Sequence, residues 1–465
     1  MYQYKGLEDT IAAIATPAGQ GGIGIIRISG NDAIKIAEKV LRLRGEKTLS
    51  DCKSHTVQYG WAKKLQGEEI LDEVLVTLMR GPNSYTSEDV VEINCHGGMV
   101  VLSAVLCAVL DAGARLATPG EFTKRAFVHG RMDLAQAEAV IDVIQAKTEN
   151  FLRQSQHQLK GELSTELQSI REELIKTYTL LEALINFPED GLDVQSRKDI
   201  LERLNIQEKS ISRLLESSQT GRILKEGIRI VICGKPNVGK SSILNSLLKE
   251  QRAIVTPIAG TTRDVLEESA QIEGIPISLV DTAGILDPRD LIEEEAIRRS
   301  HLYIKSADLV LLVLDHSRVL QEQDMQLFEK LKGARVLVVV NKMDLAGKLD
   351  YSIPAKIFGS DHLINISALE KGSVLKLESK IVDLIRENHQ FNAHGILISN
   401  IRHIKALEAA QENLKGAFRL MNESASFEFI SEEIKSAINQ LDAITGLNID
   451  EDLLNRIFSE FCIGK

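Results

Sequence analysis

The sequence is poor in aromatic residues and in cysteine. Aromatics make up 4% of the 465 residues, so leucine, isoleucine and alanine supply most of the apolar content. This balance favours helices and parallel sheet over an all-β architecture. The five cysteines form no CxxC pair and are odd in number, which argues against a disulfide framework or a zinc site.

Signals for export or membrane insertion are also missing. The first nine residues lack the basic start and apolar core of a signal peptide. No apolar run approaches the roughly 18 residues that span a bilayer, and the longest, near 100–110, has the length of a buried helix. We therefore expect a cytoplasmic protein without membrane contact. The formal net charge of −11 predicts no general attraction of the whole molecule to nucleic acid.

The apolar pattern divides the chain into segments of different character. A chain of 465 residues is longer than a single hydrophobic core usually accommodates, so two or three domains are expected. Residues 1–125 mix short apolar runs with turns that contain glycine or proline, which is typical of a compact α/β domain. Residues 126–221 and 389–465 carry leucine and isoleucine at helical spacings. Neither helical segment looks self-sufficient, so we expect the two to pack together.

Residues 222–388 alternate strands with helices. Apolar strands are predicted at 228–232, 275–280, 309–314 and 336–340, with a weaker one at 363–366. Short strands separated by helical segments imply a mostly parallel sheet. We therefore predict an α/β plus all-α fold, in which an α/β domain is inserted into a helical bundle.

A phosphate-binding motif follows the first of these strands. Residues 234–241 read GKPNVGKS, the GxxxxGK[ST] pattern, and a helical run over 242–248 comes next. Its backbone N–H groups converge on phosphates at a helix start whose dipole favours anions. Lys240 would reach the β- and γ-phosphates, and Ser241 would bind Mg²⁺. The predicted GTP contacts in this loop are Asn237, Val238, Gly239, Lys240, Ser241 and Ser242.

Two further elements lie where the switch loops of such a domain belong. Asp281 ends the strand at 275–280 and is placed to hold the Mg²⁺ shell, while the Gly284 N–H would sense the γ-phosphate. Thr262 lies in the loop between the phosphate-binding motif and Asp281, and it is the predicted second Mg²⁺ ligand. Each element alone is a common loop sequence. The predicted GTP contacts here are Thr256, Pro257, Ile258, Ala259, Gly260, Thr261, Thr262, Asp281, Thr282, Ala283 and Gly284.

The choice of base is set by Asn341-Lys342-Met343-Asp344, which follows the strand at 336–340. The Asp344 carboxylate can accept hydrogen bonds from the guanine N1–H and exocyclic amine, a donor pair that adenine lacks. Ser367, Ala368 and Leu369 follow the last strand and fit the loop that backs the base. Five elements in the correct order and strand phase predict a Ras-like P-loop domain that binds GTP.

Sequence blocks outside this domain resemble a known family. They are 23–30 (IGIIRISG), 81–86 (GPNSYT), 95–98 (CHGG), 119–123 (PGEFT), 133–139 (DLAQAEA) and the tail 461–465 (FCIGK). With the GTPase motifs they resemble the MnmE (TrmE) family of bacterial and organellar tRNA-modification GTPases. The resemblance runs from about Thr10 to Lys465, essentially the whole chain.

The resemblance implies a three-part molecule. It comprises an N-terminal tetrahydrofolate-binding and dimerisation domain (1–125), a discontinuous helical domain (126–221 and 389–465) and an inserted G domain (222–388). It further implies a homodimer, a heterotetramer with an FAD-dependent partner of the MnmG (GidA) type, and a tRNA substrate. The implied reaction adds a carboxymethylaminomethyl or aminomethyl group to C5 of the wobble uridine of certain tRNAs. The one-carbon unit comes from 5-formyl-tetrahydrofolate or another tetrahydrofolate donor, and the amine from glycine or ammonium.

The resemblance also implies how hydrolysis is catalysed. A K⁺ ion against the phosphates would neutralise developing charge as an arginine finger does, so hydrolysis is expected to be potassium-stimulated. Position 285 is Ile where Ras-like enzymes place a water-orienting Gln, so another residue must orient the water. The resemblance implies a glutamate of the second switch, which falls on Glu293, although Glu293 could also be one charge of the solvated run 293–295. Thr262 is a second candidate for a catalytic residue, beside Glu293. The implied K⁺ ligands are Asn237, Thr256, Ile258 and Thr261.

Near the N-terminal domain the resemblance implies a folate site and a thiol. Arg131 stands where the family would have Lys, which keeps the charge but changes its geometry. Cys462 is implied as a catalytic or essential thiol, and it could equally be a packed residue on an apolar helix. Without the resemblance, each folate residue reads as an ordinary surface or strand-end charge. The implied folate residues are Arg27, Glu92, Arg131 and Lys465.

Two other classes of GTPase are alternatives for a chain with such a G domain. A ribosome-assembly GTPase would bind RNA without modification chemistry, and its G domain would look similar. The absence of a KH-type GxxG appendage after residue 388, the large N-terminal domain and the FCIGK tail argue against it. A membrane-remodelling GTPase is not supported, since no basic amphipathic or transmembrane segment is present.

Overall fold

The computed structural model describes residues 8–45, 47–186, 193–250, 267–281, 303–388 and 395–465. The chain divides into two compact units. The first unit comprises Met1–Ile141, Gln158–Arg171 and Ile438–Lys465, and the second comprises Asp142–His157 and Glu172–Ala437. Each unit therefore combines segments that are far apart in the sequence.

A seven-stranded sheet forms the framework of the first unit. Its strands are β1 (Ile11–Ile14), β2 (Ile23–Ser29), β3 (Leu41–Leu43), β4 (Thr56–Lys63), β5 (Ile70–Met79), β6 (Val90–His96) and β7 (Arg115–Leu116). Their order across the sheet is β3-β4-β5-β6-β2-β1-β7. Neighbouring strands are antiparallel except β1 and β7, which are parallel.

Two helices, α1 (Ala33–Val40) and α2 (Met99–Asp111), cover one face of this sheet. Gly24 allows α2 to approach closely, because a Cβ there would lie 2.5 Å from a methyl carbon of Leu102. Successive residues of a strand point to opposite faces. The face away from the helices therefore presents the alternate residues, among them Arg27 of β2 and Glu92 of β6.

The loop before β6 is fastened to helix α3 (Glu121–Val128) by a buried cation. Arg125 is fully buried and donates hydrogen bonds to Glu88 at 3.0 Å, to Glu121 at 3.1 Å and to Asp9 at 2.6 Å. Removing one member of such a buried ionic network leaves another charge uncompensated, which costs about 3–5 kcal/mol. The network therefore fixes the segment that carries Tyr85 against the helix that carries Phe122.

The C-terminal tail belongs to the first unit. It follows α15 (Glu451–Ser459), whose Phe458 carbonyl oxygen would lie 2.4 Å from a Cβ at Gly120. A Cβ at Gly464 would lie equally close, 2.4 Å, to the carbonyl oxygen of Ile14 in β1. Backbone approaches this tight require glycine, and both glycines have a positive φ. The tail is thereby held against β1, next to the strand that carries Arg27.

A six-stranded sheet forms the framework of the second unit. Its strands are β8 (Ile228–Cys233), β9 (Glu267–Ile272), β10 (Ile275–Asp281), β11 (Leu309–Asp315), β12 (Val336–Asn341) and β13 (Leu363–Asn365). The order is β13-β12-β11-β8-β10-β9, and only β9 runs antiparallel to its neighbour. Strands β11 and β12 are buried along their whole length, as expected for a parallel sheet with both faces covered. The loops that follow β8, β10, β11, β12 and β13 therefore meet at one edge of the sheet.

Helices supply the remaining regular structure. Within the second unit, α7 (Asp193–Glu216) and α13 (Ile401–Asn422) pack along each other, and Phe151, Leu224 and Leu397 form one buried cluster. The helices not yet given are α4 (Leu134–Gln145), α5 (Glu149–Leu159), α6 (Glu162–Asn186), α8 (Ser218–Glu226), α9 (Lys240–Glu250), α10 (Glu322–Lys330), α11 (Ser352–Phe358), α12 (Lys371–Asn388) and α14 (Phe427–Thr445), with a 3₁₀ turn at Ser360–His362.

The α/β plus all-α fold class expected from the sequence is confirmed. Strands β8, β10, β11 and β12 extend one residue beyond the apolar runs that predicted them, whereas β13 ends one residue earlier, at Asn365. Strands β10, β11 and β12 end on Asp281, Asp315 and Asn341. The sheet itself therefore fixes the backbone of these polar residues. Strands β3, β4, β7 and β9 were not predicted. Strands β3 and β7 have only three and two residues, too few to show a period of two, and β9 is mostly polar (EESAQI).

Candidate functional site

The glycine-rich loop between β8 and α9 has a shape that its glycines make possible. Gly234 has φ 147° and Gly239 has φ 98°. A Cβ at Gly234 would lie 2.4 Å from the carbonyl oxygen of Val313, and one at Gly239 would lie 2.2 Å from the amide nitrogen of Asn341. Either side chain would push the loop away from the neighbouring strands. Glycine at both positions therefore keeps the loop close to the edge of the sheet.

Lys240 spans this loop from the first turn of α9. Its Nζ donates hydrogen bonds of 2.8 Å to the carbonyl oxygens of Gly234 and Lys235. The next two residues, Ser241 and Ser242, are exposed in the same turn. A buried ammonium group, exposed hydroxyls and a helix N-terminus together form an environment suited to phosphate and its metal ion.

The predicted base-reading residues contact the phosphate loop directly. The Asn341 amide donates to the carbonyl oxygen of Val238 at 3.0 Å and accepts from the Ala368 N–H at 3.0 Å. The Ser367 hydroxyl donates to Asp344 Oδ1 at 2.7 Å and so orients this carboxylate. Three loops that are distant in sequence are therefore joined into one cradle.

Lys342 adds a further link to the phosphate loop. Its Nζ donates to the carbonyl oxygen of Asn237 at 2.7 Å. Asn237 and Lys342 have φ values of 65° and 66°, a region that residues other than glycine rarely adopt. Met343 and Leu369 are exposed beside these residues. Asp281 ends β10 in register with Ile232 of β8, so its backbone lies at the same edge of the sheet.

Several predicted residues fall outside the described part of the chain. The second Mg²⁺ ligand, most of the K⁺ ligands and the catalytic glutamate are among them, so these assignments stay predictions. The residues concerned are Thr256, Pro257, Ile258, Ala259, Gly260, Thr261, Thr262, Thr282, Ala283, Gly284 and Glu293.

A second group of predicted residues meets in the first unit. Arg27 and Glu92 face each other on neighbouring strands, and Arg27 Nε lies 2.8 Å from Glu92 Oε1. Arg27 also donates to the carbonyl oxygen of Gly464 at 3.1 Å. Burial and the nearby charge of Arg27 lower the pKa of Lys465, the last residue of the chain. The fold therefore brings together residues separated by more than four hundred positions.

Tyr85 connects Arg131 to this group. The guanidinium carbons of Arg27 and Arg131 lie 5.5 and 5.0 Å from the centre of the Tyr85 ring, within range of cation–π attraction. Arg131 also donates to the Tyr85 carbonyl oxygen at 2.8 Å, and the Tyr85 hydroxyl lies 2.9 Å from that of Thr123. The Tyr85 ring thus links Arg131 to Arg27, which in turn contacts Glu92 and lies near Lys465.

Tyr85 and Phe122 were not among the predicted site residues. The Arg27 guanidinium carbon lies 5.7 Å from the centre of the Phe122 ring. Both residues belong to sequence blocks that carry the family resemblance, 81–86 and 119–123. These blocks could therefore have indicated both aromatic residues, but the resemblance implied only charged residues for the site.

Cys462 lies in the tail with an exposed side chain. Its neighbours Phe458 and Phe461 belong to the apolar cluster around α15, which does not include the cysteine. The carbonyl oxygen of Cys462 accepts from the Gly120 N–H at 3.4 Å and from the Lys465 N–H at 3.3 Å. The catalytic role of the thiol stays a prediction.

Comparison with known proteins identifies the family. The model described as the N-terminus of the GTP-binding protein TrmE matches residues 10–131, and the model of the MnmE helical domain matches residues 134–462. A protein of Alkaliphilus metalliredigens named tRNA modification GTPase MnmE is 44% identical over 99% of this chain and 100% of its own length. The chain belongs to the MnmE family of tRNA modification GTPases. The recognition made from the sequence is thereby confirmed.

Other relatives carry the same name. The protein of Thermoanaerobacter pseudethanolicus is 45% identical over 98% of this chain and 99% of its own, and that of Clostridioides difficile is 43% identical over 99% and 100%. The G domain of the FeoB iron transporter of T. maritima is 28% identical over 34% of this chain and 98% of its own, with a TM-score of 0.27, which is too low for a structural conclusion. GTP binding, GTP hydrolysis and tRNA modification are the shared properties of the family. In the part of the chain that the structure describes, no helix is long and apolar enough to cross a membrane.

Proposed function

We propose that this protein hydrolyses GTP to drive the modification of tRNA at C5 of the wobble uridine. Together with an FAD-dependent partner of the MnmG type, it would add a carboxymethylaminomethyl or aminomethyl group to certain tRNAs. The observation that carries the proposal is the presence of two assembled sites in a chain that matches its relatives over their whole length. One joins the phosphate and base-reading loops, and the other gathers Arg27, Glu92 and the C-terminal tail.

The first site would bind GTP with Mg²⁺. Lys240 would contact the β- and γ-phosphates, and Ser241, Asp281 and Thr262 would hold the metal ion or its water shell. Asp344 would accept hydrogen bonds from guanine, supported by its hydrogen bond from Ser367. The exposed hydroxyl of Ser241 and the buried ammonium of Lys240 suit a phosphate-bound Mg²⁺ ion.

Potassium would stimulate hydrolysis at the same site. Its ligands would be oxygens of Asn237, Thr256, Ile258 and Thr261, and Glu293 would orient the attacking water. The left-handed backbone of Asn237, fixed through its carbonyl oxygen by Lys342, supports a preformed first ligand. A monovalent cation beside the phosphates would stabilise charge that develops in the transition state.

The second site would bind 5-formyl-tetrahydrofolate or a related one-carbon donor. Arg27, Arg131 and Lys465 supply positive charge for its carboxylates, and Glu92 supplies an acceptor for the N–H groups of a pterin ring. The Tyr85 ring, close to both guanidinium groups, offers an apolar surface for a planar ring system. This donor set fits such a cofactor, which would supply the one-carbon unit when bound. The exposed Cys462 thiol, in the same tail as Lys465, would act near this group.

The N-terminal sheet supports homodimer formation. Val57 and Leu75 on the face away from α1 and α2 are 59% and 48% exposed. Tyr59, which pairs with Leu75, and Trp61 lie on the same face, with ring centres 5.2 Å apart. Exposed apolar patches on a soluble domain mark association surfaces. We further propose that the protein is cytoplasmic, forms a heterotetramer with the flavin partner, and is divided into domains at 1–125, 126–221, 222–388 and 389–465.

Mass spectrometry of nucleosides from tRNA of cells that lack this gene tests the proposal. Loss of the modified wobble uridine is expected, and complementation with the wild-type gene should restore it, whereas Asp281→Ala should not. An unchanged uridine profile with accumulated ribosomal precursors would instead support the ribosome-assembly alternative.

A further inference from the structure

A buried carboxylate outside every predicted motif lies directly behind the base-reading loop. Asp315 ends β11, is 5% exposed and pairs in register with Asn341 of β12. Its Oδ2 accepts a hydrogen bond of 2.7 Å from Lys342 Nζ. Its Oδ1 accepts from the backbone N–H of Ser317 at 2.9 Å and from the Ser317 hydroxyl at 2.7 Å. Both oxygens of the carboxylate are therefore engaged.

The ammonium group that Asp315 holds also reaches the phosphate loop. Lys342 Nζ donates to the carbonyl oxygen of Asn237 at 2.7 Å, the same length as its bond to Asp315. One cation thus joins the end of β11, the base-reading loop and the phosphate loop. Because Asn237 and Lys342 both have a left-handed backbone, these loops depend on such side-chain contacts to keep their shape.

We propose that Asp315 is a positioning residue for nucleotide binding. It holds Lys342 in place, so that the base-reading and phosphate loops form one cradle before the nucleotide arrives. A preassembled cradle binds more tightly because less ordering is needed on binding. The inference rests on GTP binding by this domain and is independent of the chemistry on tRNA.

The charge state of Asp315 agrees with this role. Burial alone would raise the pKa of Asp315, but hydrogen bonds from Lys342 and Ser317 outweigh it and hold this pKa below its ordinary value. The carboxylate is therefore ionised at neutral pH. A hydrogen bond between two charged groups is stronger than one between neutral groups.

The substitution Asp315→Asn tests the proposal with almost no change in size. An amide has one acceptor oxygen, so it cannot accept from both Lys342 and Ser317, and its NH₂ group must face one of these donors. The dissociation constants for GDP and for a non-hydrolysable GTP analogue should both rise about tenfold or more. In steady-state hydrolysis the KM should rise while kcat at saturating GTP stays unchanged, because the lost contact acts equally on bound ground and transition states.

Asp308→Asn is the matched control. Asp308 precedes the opposite end of β11, where it accepts a hydrogen bond of 2.8 Å from the Arg229 N–H. The same substitution there should leave the nucleotide dissociation constants as in the wild type. Weak binding by the wild type itself would count against the proposed function, whereas normal binding by both the wild type and Asp315→Asn would overturn this inference alone.

A double-mutant cycle separates positioning from a purely structural role. If Asp315 acts through Lys342, then Asp315→Asn adds no further loss of affinity once Lys342→Met is present. Equal losses in both backgrounds would mean that the effect passes through the Ser317 turn or through Arg318, whose Nε lies 3.4 Å from Asp315 Oδ2, and would overturn the proposal. If Asp315→Asn does not fold, Asp315→Glu replaces it in the cycle. It keeps the charge but displaces it by one methylene group, and its loss of affinity should likewise vanish beside Lys342→Met.

Discussion

Replacing Asp344 with Asn is expected to change which base the protein binds. The hydrogen bond of 2.7 Å from Ser367 holds one oxygen of the Asp344 carboxylate in place. The side chain therefore cannot rotate freely to form hydrogen bonds with a different base. Two charge-assisted hydrogen bonds to guanine would be lost, each worth about 1.5–3 kcal/mol. Their sum of about 3–6 kcal/mol corresponds to a rise of roughly 100-fold or more in the dissociation constant for GDP.

Titration with guanosine and xanthosine diphosphates measures this change. Xanthine has a carbonyl group where guanine has the exocyclic amine, so the amide introduced by Asp344→Asn would donate to it and the preference should reverse. Asp361→Asn, at an exposed aspartate in the 3₁₀ turn Ser360–His362, is the control and should bind as the wild type does. Unchanged affinity for GDP, or an equal loss for both nucleotides, would refute Asp344 as the residue that reads the base.

Three other changes test other parts of the molecule. GTP hydrolysis should be faster in potassium than in sodium, and Asn237→Ala should remove the difference; equal wild-type rates would refute the ion site. In calorimetry, Arg27→Ala should weaken binding of 5-formyl-tetrahydrofolate about tenfold or more. The control Arg42→Ala, at an exposed arginine, should leave this binding unchanged. Unchanged binding by Arg27→Ala would exclude this site. Gly120→Ala, with φ 69° and a Cβ 2.4 Å from the Phe458 carbonyl oxygen, should lower stability by about 1–3 kcal/mol in thermal unfolding. An unchanged midpoint would contradict the close approach of the tail.

The candidate nucleotide site could be predicted largely from the sequence because its residues belong to short, contiguous motifs. The spacing of glycines, Lys240 and Ser241 already specifies a strand, a loop and a helix start. Asn341 and Asp344 follow a long apolar strand, and the parallel sheet then carries them to the same edge. The structure shows this strand, loop and helix start and ends β12 at Asn341, while the contacts with the nucleotide stay predictions.

Contacts between distant parts of the chain were harder to foresee. Asp315 belongs to no motif, and its proposed positioning role depends on its register with Asn341 on the neighbouring strand. Arg27 and Gly464 are 437 positions apart, and only the docking of the tail on β1 brings them within a hydrogen bond. Spacing along the sequence carries no information about either pairing. The family resemblance pointed to Arg27, but it did not reveal the Tyr85 ring beside it.

The central claim is that GTP turnover drives a folate-dependent change to a tRNA uridine. Its most direct test is reconstitution of the purified protein with the flavin partner, tRNA, an amine donor and tetrahydrofolate labelled with ¹³C in its one-carbon unit. The label should appear in the C5 substituent of the wobble uridine with GTP present, and should be absent with Lys240→Ala or without GTP. Labelled uridine formed equally well without GTP, or modified uridine that carries no label, would contradict the account.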